Sequence, residues 1–259
     1  MKRAIVLSLA VAILMGNAFA GGSKKEQKIR EIAREEARKE IRKEFKTLVA
    51  NSIKVALQNQ DFNSAIAFIN MYLALDSSRS TLKDTLIELY LITGQANQAL
   101  VLAEQKLKQN PNDTSAMHIA AIASMQLNNL QKAYEYYTRL AQATGNVKHL
   151  WDFAVVLWQM QRYGDALVVI DQIIANPAAR SQTVTLQISP TTKQEVPLLA
   201  AAYNLKGAAH QRLKDLNAAK EAYQKALEVV PDFILPKENL EALKQQEQQN
   251  NSGSNQQKK

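Results

Sequence analysis

The sequence predicts an all-α protein built from repeated pairs of short helices, and three observations lead to this fold class. Only eight glycines and six prolines punctuate the 259 residues, whereas an all-β chain of this length needs many more turn residues. Alanines recur 34 residues apart, at Ala65, Ala99 and Ala133. Between them, apolar residues recur three and four apart, as on one face of a helix. A fixed period of this length indicates a solenoid of stacked helix pairs.

The first twenty residues have the features of an export signal. Lys2 and Arg3 precede a dozen apolar residues, from Ala4 to Met15, which is too short a run to cross a bilayer of roughly 30 Å comfortably. Ala18 and Ala20 then fit the small-residue pattern that signal peptidase accepts, so cleavage is expected after Ala20. An uncleaved N-terminal anchor is the alternative, and under either interpretation the remainder is exported.

A charged segment, residues 21–45, precedes the repeats. Ten basic and six acidic residues lie between Lys24 and Lys46. Apolar residues stand four apart in this segment, at Ile29, Ala33, Ala37, Ile41 and Phe45. We expect a long, solvated helix that runs into the first repeat and is supported by pairs such as Glu35 with Lys39. A self-associating coiled coil and contact with anionic lipid head groups are the alternatives, although a coiled-coil seam repeats at 3.5 residues rather than four.

Five repeat units are expected over residues 46–233. They cover residues 46–79, 80–113, 114–146, 147–180 and 200–233. The last unit contains an aromatic, glycine, alanine, aromatic, alanine, proline series, at Tyr203, Gly207, Ala219, Tyr223, Ala226 and Pro231. This series resembles the tetratricopeptide repeat, and the second unit is similar, with Tyr90, Gly94, Ala99 and Pro111. Ile53 and Ala121 replace the glycine in the first and third units. The resemblance implies a right-handed superhelix of helix-turn-helix repeats.

An insertion over residues 178–198 separates the last two units. The segment from Thr183 to Ile188 alternates polar and apolar residues and is rich in β-branched types, which predicts a strand followed by a turn. A single strand must pair or pack, either with a partner or against its own helices. After the repeats, we expect a capping helix over 234–247, because the end of a solenoid needs a polar cover, and a disordered tail over 248–259.

No cluster of reactive groups predicts an enzyme. Cysteine is absent, which excludes disulfides and thiolate metal sites. The three histidines, His118, His149 and His210, fall in three different units, and none has a second histidine three or four residues away, as a helical zinc site requires. The sequence has no phosphate loop, nucleophile elbow or dinucleotide-binding turn. We therefore expect no catalytic residues, no bound metal and no cofactor.

The resemblance implies a binding groove lined by the first helix of each unit. The family's groove positions correspond here to Lys54, Gln58, Asp84, Glu88, His118, Gln126, Asn204 and Arg212. Trp151 and Trp158 are further candidates, because they lie seven residues apart on one helix face and tryptophan is enriched at binding hot spots. The fourth unit is one residue short, however, and a shift of one residue would place both at the family's structural aromatic positions. Core packing is then the alternative role.

The expected function is that of an exported scaffold or adaptor that binds peptides or helical segments of envelope proteins in this groove. The alternative is an oligomeric structural or assembly factor organised by the charged segment. The formal charge of +8, or +6 without Lys2 and Arg3, favours anionic partners in general and does not indicate nucleic acid. We expect the mature protein in the periplasm, which is favoured over secretion.

Overall fold

The structure is a computed structural model that describes residues 24–256. For Glu26, Ile29 and residues 247–256 it describes the backbone alone. The expected signal peptide and its cleavage site at Ala20 lie outside the described residues. The described chain forms eleven α-helices, one 3-10 turn and two β-strands. It divides into two compact units, one ending at Gln95 and the other beginning at Ala96.

The first unit contains three helices, α1 (Lys24–Gln58), α2 (Phe62–Leu75) and α3 (Ser80–Ile92). The charged segment and the first repeat helix form one unbroken helix, as the sequence predicts, and the expected ion pair between Glu35 and Lys39 spans 3.1 Å. Only the C-terminal half of α1 packs on α2, where Val49, Ile53 and Ala56 are buried. The preceding part of α1 has no buried residues among those described, so mixed-sign charges keep it solvated.

The second unit contains the remaining helices and the two strands. The helices before the insertion are α4 (Ala96–Gln109), α5 (Thr114–Gln126), α6 (Leu130–Thr144), α7 (Val147–Gln159) and α8 (Tyr163–Ala175). A 3-10 turn (Pro177–Arg180), β1 (Thr183–Gln187), β2 (Lys193–Pro197), α9 (Leu198–Arg212), α10 (Leu216–Val229) and α11 (Ile234–Gln256) follow. Consecutive helices of this unit pack on one another, which buries one apolar face of each.

A left-handed residue marks the turn inside every helix pair. These residues are Gln60, Gly94, Asn128, Gln161 and Lys214, with φ between 55° and 74°. In each turn, the residue that follows the left-handed one donates its N–H to the carbonyl five positions before itself, at 2.7–2.9 Å. This hydrogen bond satisfies a carbonyl in the last turn of the first helix. A fully buried alanine follows five residues after each left-handed residue, at Ala65, Ala99, Ala133, Ala166 and Ala219. The turn and the second helix therefore keep one register in all five pairs.

The insertion is a β-hairpin, whereas the sequence predicted a single strand and a turn. The two strands are antiparallel, with Thr183 opposite Pro197 and Gln187 opposite Lys193. The second strand contains charged residues and a proline, which are poor strand formers, so it is stabilised by its tertiary contacts, among them its pairing with β1 and the burial of Val196. Apolar side chains of the hairpin pack with a cluster on α9 and α10, so the hairpin folds back on its own helices.

The last helix is longer than the capping helix expected over 234–247. It packs on α10 through Leu240 and Leu243 and continues to Gln256. Residues 248–256 of the expected disordered tail are thus helical, because extending an anchored helix costs much less than nucleating one, and residues 257–259 lie outside the described residues. Within the described residues, no helix combines the length and the apolarity needed to span a membrane.

Candidate functional site

The register of the fourth repeat decides where its two tryptophans lie. Asn146 caps the N-terminus of α7 and stands fifteen residues before Gln161, just as Asp113 caps α5 fifteen residues before Asn128. The deletion that shortens this repeat by one residue is therefore in the connection before α7, where Gly145 ends α6 in a left-handed conformation. The one-residue shift considered from the sequence does not occur.

Trp151 consequently takes a groove-type position of its helix, and Trp158 stands one residue before the position that corresponds to Gln126. Trp151 stands five residues after the N-cap, as His118 does in α5, and Trp158 corresponds to Met125. The core face of α7 is formed by other residues, namely Leu150, Phe153, Ala154 and Leu157, which are all buried. Both tryptophans are only partly buried. The structural aromatic positions that the shift would have assigned to them are occupied by Leu150 and Leu157 instead.

Three contacts connect neighbouring first helices of the second unit, and each involves at least one of the predicted site residues. His118 Nε2 on α5 lies 3.4 Å from Asp152 Oδ2 on α7. The guanidinium of Arg212 on α9 lies 5.9 Å from the ring centre of Trp158 on α7. Asn204 on α9 accepts a hydrogen bond of 3.2 Å from the Asn239 amide on α11. We call this continuous surface of α5, α7, α9 and α11 the first-helix face.

Trp151 lies where this face meets the hairpin. Its ring packs against the cluster formed by Val196, Ala200, Ala201, Ala226 and Phe233. The Gln194 side chain of β2 fixes the same region, because it donates to the Asp232 carbonyl and accepts from the Ile234 N–H, both at 3.0 Å. Trp151 therefore combines a packing role with a partly exposed surface.

Trp158 borders a cleft of about 710 Å³. Its ring meets Tyr163 edge to face at 5.0 Å, and the Arg212 guanidinium lies 5.9 Å from its centre. An indole in contact with a second aromatic ring and a cation is a rigid apolar surface that loses little side-chain entropy when a ligand covers it. Trp158 is therefore the best-placed apolar anchor on the first-helix face.

The structure also assembles a polar cluster that the sequence did not reveal. The rings of His118 and His149 are 4.6 Å apart, although the residues are 31 positions apart in the chain. Burial lowers the pKa of His149, and the nearby His118 lowers it further. Burial raises the pKa of Tyr137, as does the charge of Asp152. Among the side chains that the structure describes, no three from His, Asp or Glu are arranged to hold a metal ion.

The other predicted site residues differ in exposure. In the first unit, Lys54, Gln58 and Glu88 are exposed and Asp84 is half-buried. In the second unit, Gln126 and Arg212 are exposed and Asn204 is half-buried. The structure brings His118, Trp151, Trp158, Asn204 and Arg212 together through contacts with Asp152, the hairpin cluster and Asn239. Asp152 and Asn239 were not candidates from the sequence, because nothing in the local pattern marks a partner on the next helix.

The comparisons with known proteins agree with this architecture. The model of the tetratricopeptide repeat family matches residues 200–233. A crystal structure of MamA protein is similar, with 17% identity over 71% of this chain and 91% of that one, and a TM-score of 0.58. YrrB, described as a TPR protein with an unusual peptide-binding site, has 17% identity, coverage of 74% and 89%, and a TM-score of 0.57. MamA 41-end from Desulfovibrio magneticus RS-1 has 21% identity, coverage of 69% and 90%, and a TM-score of 0.54.

No curated protein sequence matches the chain. The solved structures share its fold at low identity, and the family model identifies one of its repeats. Residues 200–233 therefore form a tetratricopeptide repeat, in a chain that has the fold of tetratricopeptide-repeat solenoids.

Proposed function

We propose that this protein is an exported interaction scaffold, which binds a peptide or helical segment of a bacterial envelope protein on the first-helix face. The observation that carries the proposal is Trp158, a partly exposed indole that borders a cleft on the first-helix face. Large aromatic side chains dominate the binding energy of protein interfaces when they can be covered by a partner. YrrB, a TPR protein of similar fold, has a peptide-binding site, which supports the same class of function here.

Affinity capture from an envelope extract tests the proposal. The bait is the chain from residue 21 onward, beside a Trp158→Ala variant and a Val168→Ala variant as the matched control. Val168 is 62% exposed on α8 and lies outside the first-helix face. We expect one or more envelope proteins to bind the wild type and the control but not Trp158→Ala, with unchanged helicity by circular dichroism. Equal capture by all three baits would remove Trp158 from the site and refute the proposal.

A second candidate function is self-assembly through α1, and a specific surface feature favours it. Four apolar side chains on one side of α1 are between 39% and 61% exposed, and they are Ile41, Phe45, Leu48 and Val55. Their spacing of four, three and seven residues is that of a coiled-coil seam. This seam is offset from the face that carries Val49, Ile53 and Ala56 into the core. An apolar seam of this kind is stabilised when a second helix covers it.

Sedimentation equilibrium distinguishes this candidate. Leu48→Glu places a charge at the centre of the seam, whereas Ile32→Glu changes an equally exposed residue, 54% exposed, on the opposite side of α1. If α1 mediates assembly, the wild type and Ile32→Glu are oligomers and Leu48→Glu is a monomer. A monomeric wild type at every concentration would exclude the second candidate.

A further inference from the structure

The cleft beside Trp158 is lined by positively charged residues and by no negatively charged ones. The cleft lies within the second unit, between α7, the C-terminal end of α9 with the following turn, α10 and α11. Its lining residues are Trp158, Ala208, Gln211, Arg212, Lys214, Leu216, Tyr223, Asn239 and Gln246. Two of these nine residues are cations and none is a carboxylate. A volume of about 710 Å³ is within the range of sites that hold small molecules or two or three peptide side chains.

The two cations of the cleft have no acidic partner among the described residues. Other lysines of this unit are paired, for example Lys206 with Asp171 at 2.7 Å and Lys225 with Glu221 at 3.1 Å. Neither Arg212 nor Lys214 forms an ion pair in the described part of the chain, and Arg212 instead lies over an indole ring. Uncompensated cations at the wall of a cleft focus positive potential into it.

The polar groups of the cleft also favour an anion. Gln211 uses its Oε1 to accept a 2.9 Å hydrogen bond from the Tyr223 hydroxyl, which leaves its amide N–H groups as donors. Arg212 and Lys214 are donors only. A guanidinium presents paired N–H groups that match the two oxygens of a carboxylate, and the adjacent indole of Trp158 provides apolar contact area.

We infer that this cleft binds a peptide segment in which a carboxylate lies next to an apolar side chain. The carboxylate pairs with Arg212 and Lys214, and the apolar side chain covers Trp158. The inference rests on the proposed function, since it specifies the chemistry of the partner on the first-helix face. The carboxylate has two possible sources, an acidic side chain or a C-terminus.

Fluorescence anisotropy with labelled eight-residue peptides tests the inference and separates the two sources. One peptide alternates glutamate and leucine and has an amidated C-terminus, its isosteric control replaces each glutamate by glutamine, and a third has the glutamine sequence with a free C-terminus. We expect the full-length chain to bind at least one carboxylate-bearing peptide about tenfold more tightly than the amidated glutamine peptide, because two partly exposed charge pairs together change a dissociation constant by that order. Tighter binding of the glutamate peptide identifies an acidic side chain as the source of the carboxylate, and tighter binding of the free-acid peptide identifies a C-terminus.

Two double variants complete the experiment. Arg212→Gln with Lys214→Gln removes the advantage of the carboxylate-bearing peptide over the amidated glutamine peptide. Lys237→Gln with Lys244→Gln removes the same charge from exposed sites on α11 that do not line the cleft, and preserves the advantage. Equal affinity for charged and neutral peptides, no binding of any peptide, or an advantage that survives Arg212→Gln with Lys214→Gln overturns the inference. If one of these results is obtained but the affinity-capture experiment still shows Trp158-dependent binding of an envelope protein, the proposed function stands and only the carboxylate inference fails.

Discussion

Gly207 and Tyr223 show how closely the first and second helices approach in the last repeat. A methyl group added to Gly207 would lie 2.6 Å from both Cδ1 and Cε1 of the Tyr223 ring and 2.9 Å from Cγ. Tyr223 has no exposed surface and its hydroxyl is held by Gln211. Burial and this hydrogen bond hold the ring in place, so Gly207→Ala requires α9 and α10 to move apart.

The expected size of this effect follows from two opposing contributions. Alanine is favoured over glycine inside a helix by about 1 kcal/mol. Overpacking a filled core costs about 1–3 kcal/mol. We expect Gly207→Ala to lower the free energy of unfolding by about 1 kcal/mol net, although the same substitution stabilises an exposed helix. Urea denaturation followed by circular dichroism at 222 nm measures this difference.

A double-mutant cycle checks the cause. The fourth repeat has Ala154 and Ile170 at the corresponding positions, both with 0% exposure, so alanine is compatible with a smaller partner there. Combining Gly207→Ala with Tyr223→Ile should therefore cost less than the sum of the two single substitutions, by about 1 kcal/mol or more. Additive single effects, or a Gly207→Ala protein more stable than the wild type, would show that close packing at Gly207 does not limit this repeat.

Three further predictions concern the turns, the hairpin and an ion pair. Gly94→Ala should destabilise the protein by about 1 kcal/mol in thermal or urea denaturation, because φ is +74° there and the new methyl meets no atom within 4 Å, so only backbone strain acts. Gly164→Ala on α8 is the control, since its methyl also meets no atom within 4 Å, and it should be neutral or stabilising. A Gly164→Ala protein that is less stable than the Gly94→Ala protein contradicts this reasoning. Gln194→Ala should cost about 1–2 kcal/mol, since both of its hydrogen bonds to the backbone before α11 are lost, and an unchanged urea midpoint contradicts it. The hydrogen bond from Lys46, and next those from Ser78, hold the pKa of Asp76 well below its usual range. The wild type should therefore be more stable than Asp76→Asn by an amount that is complete above about pH 5 and shrinks as the pH falls below about 4. A difference in melting temperature that does not depend on pH contradicts this.

The repeat architecture could be predicted from the sequence because its strongest signals are local and periodic. Ala65, Ala99 and Ala133 recur at 34 residues because each lies in the first turn of a second helix, five residues after a left-handed turn residue. The continuous helix α1 follows from a long charged segment without proline or glycine after residue 22. These features depend on the backbone and on residues close in sequence, which a single chain shows directly.

The features that could not be predicted depend on residues that are distant in sequence. Lys193–Pro197 becomes a strand only because Thr183–Gln187 pairs with it, and its own composition argues against this. His118 and His149 meet only because α5 and α7 pack side by side. The register of the tryptophans was ambiguous, since one missing residue can fall at either end of a helix. The sequence Gly145-Asn146 contained the relevant signal, a left-handed helix end followed by an N-cap.

The claim that a partner occupies the first-helix face is tested most directly by photocrosslinking in the cells that produce the protein. Benzoylphenylalanine is introduced in place of Trp158 in one strain and in place of Val168, an exposed residue on α8, in another. The account predicts a discrete crosslinked envelope protein from position 158 and none from position 168. Crosslinks of equal yield from both positions, or from position 168 alone, would contradict it.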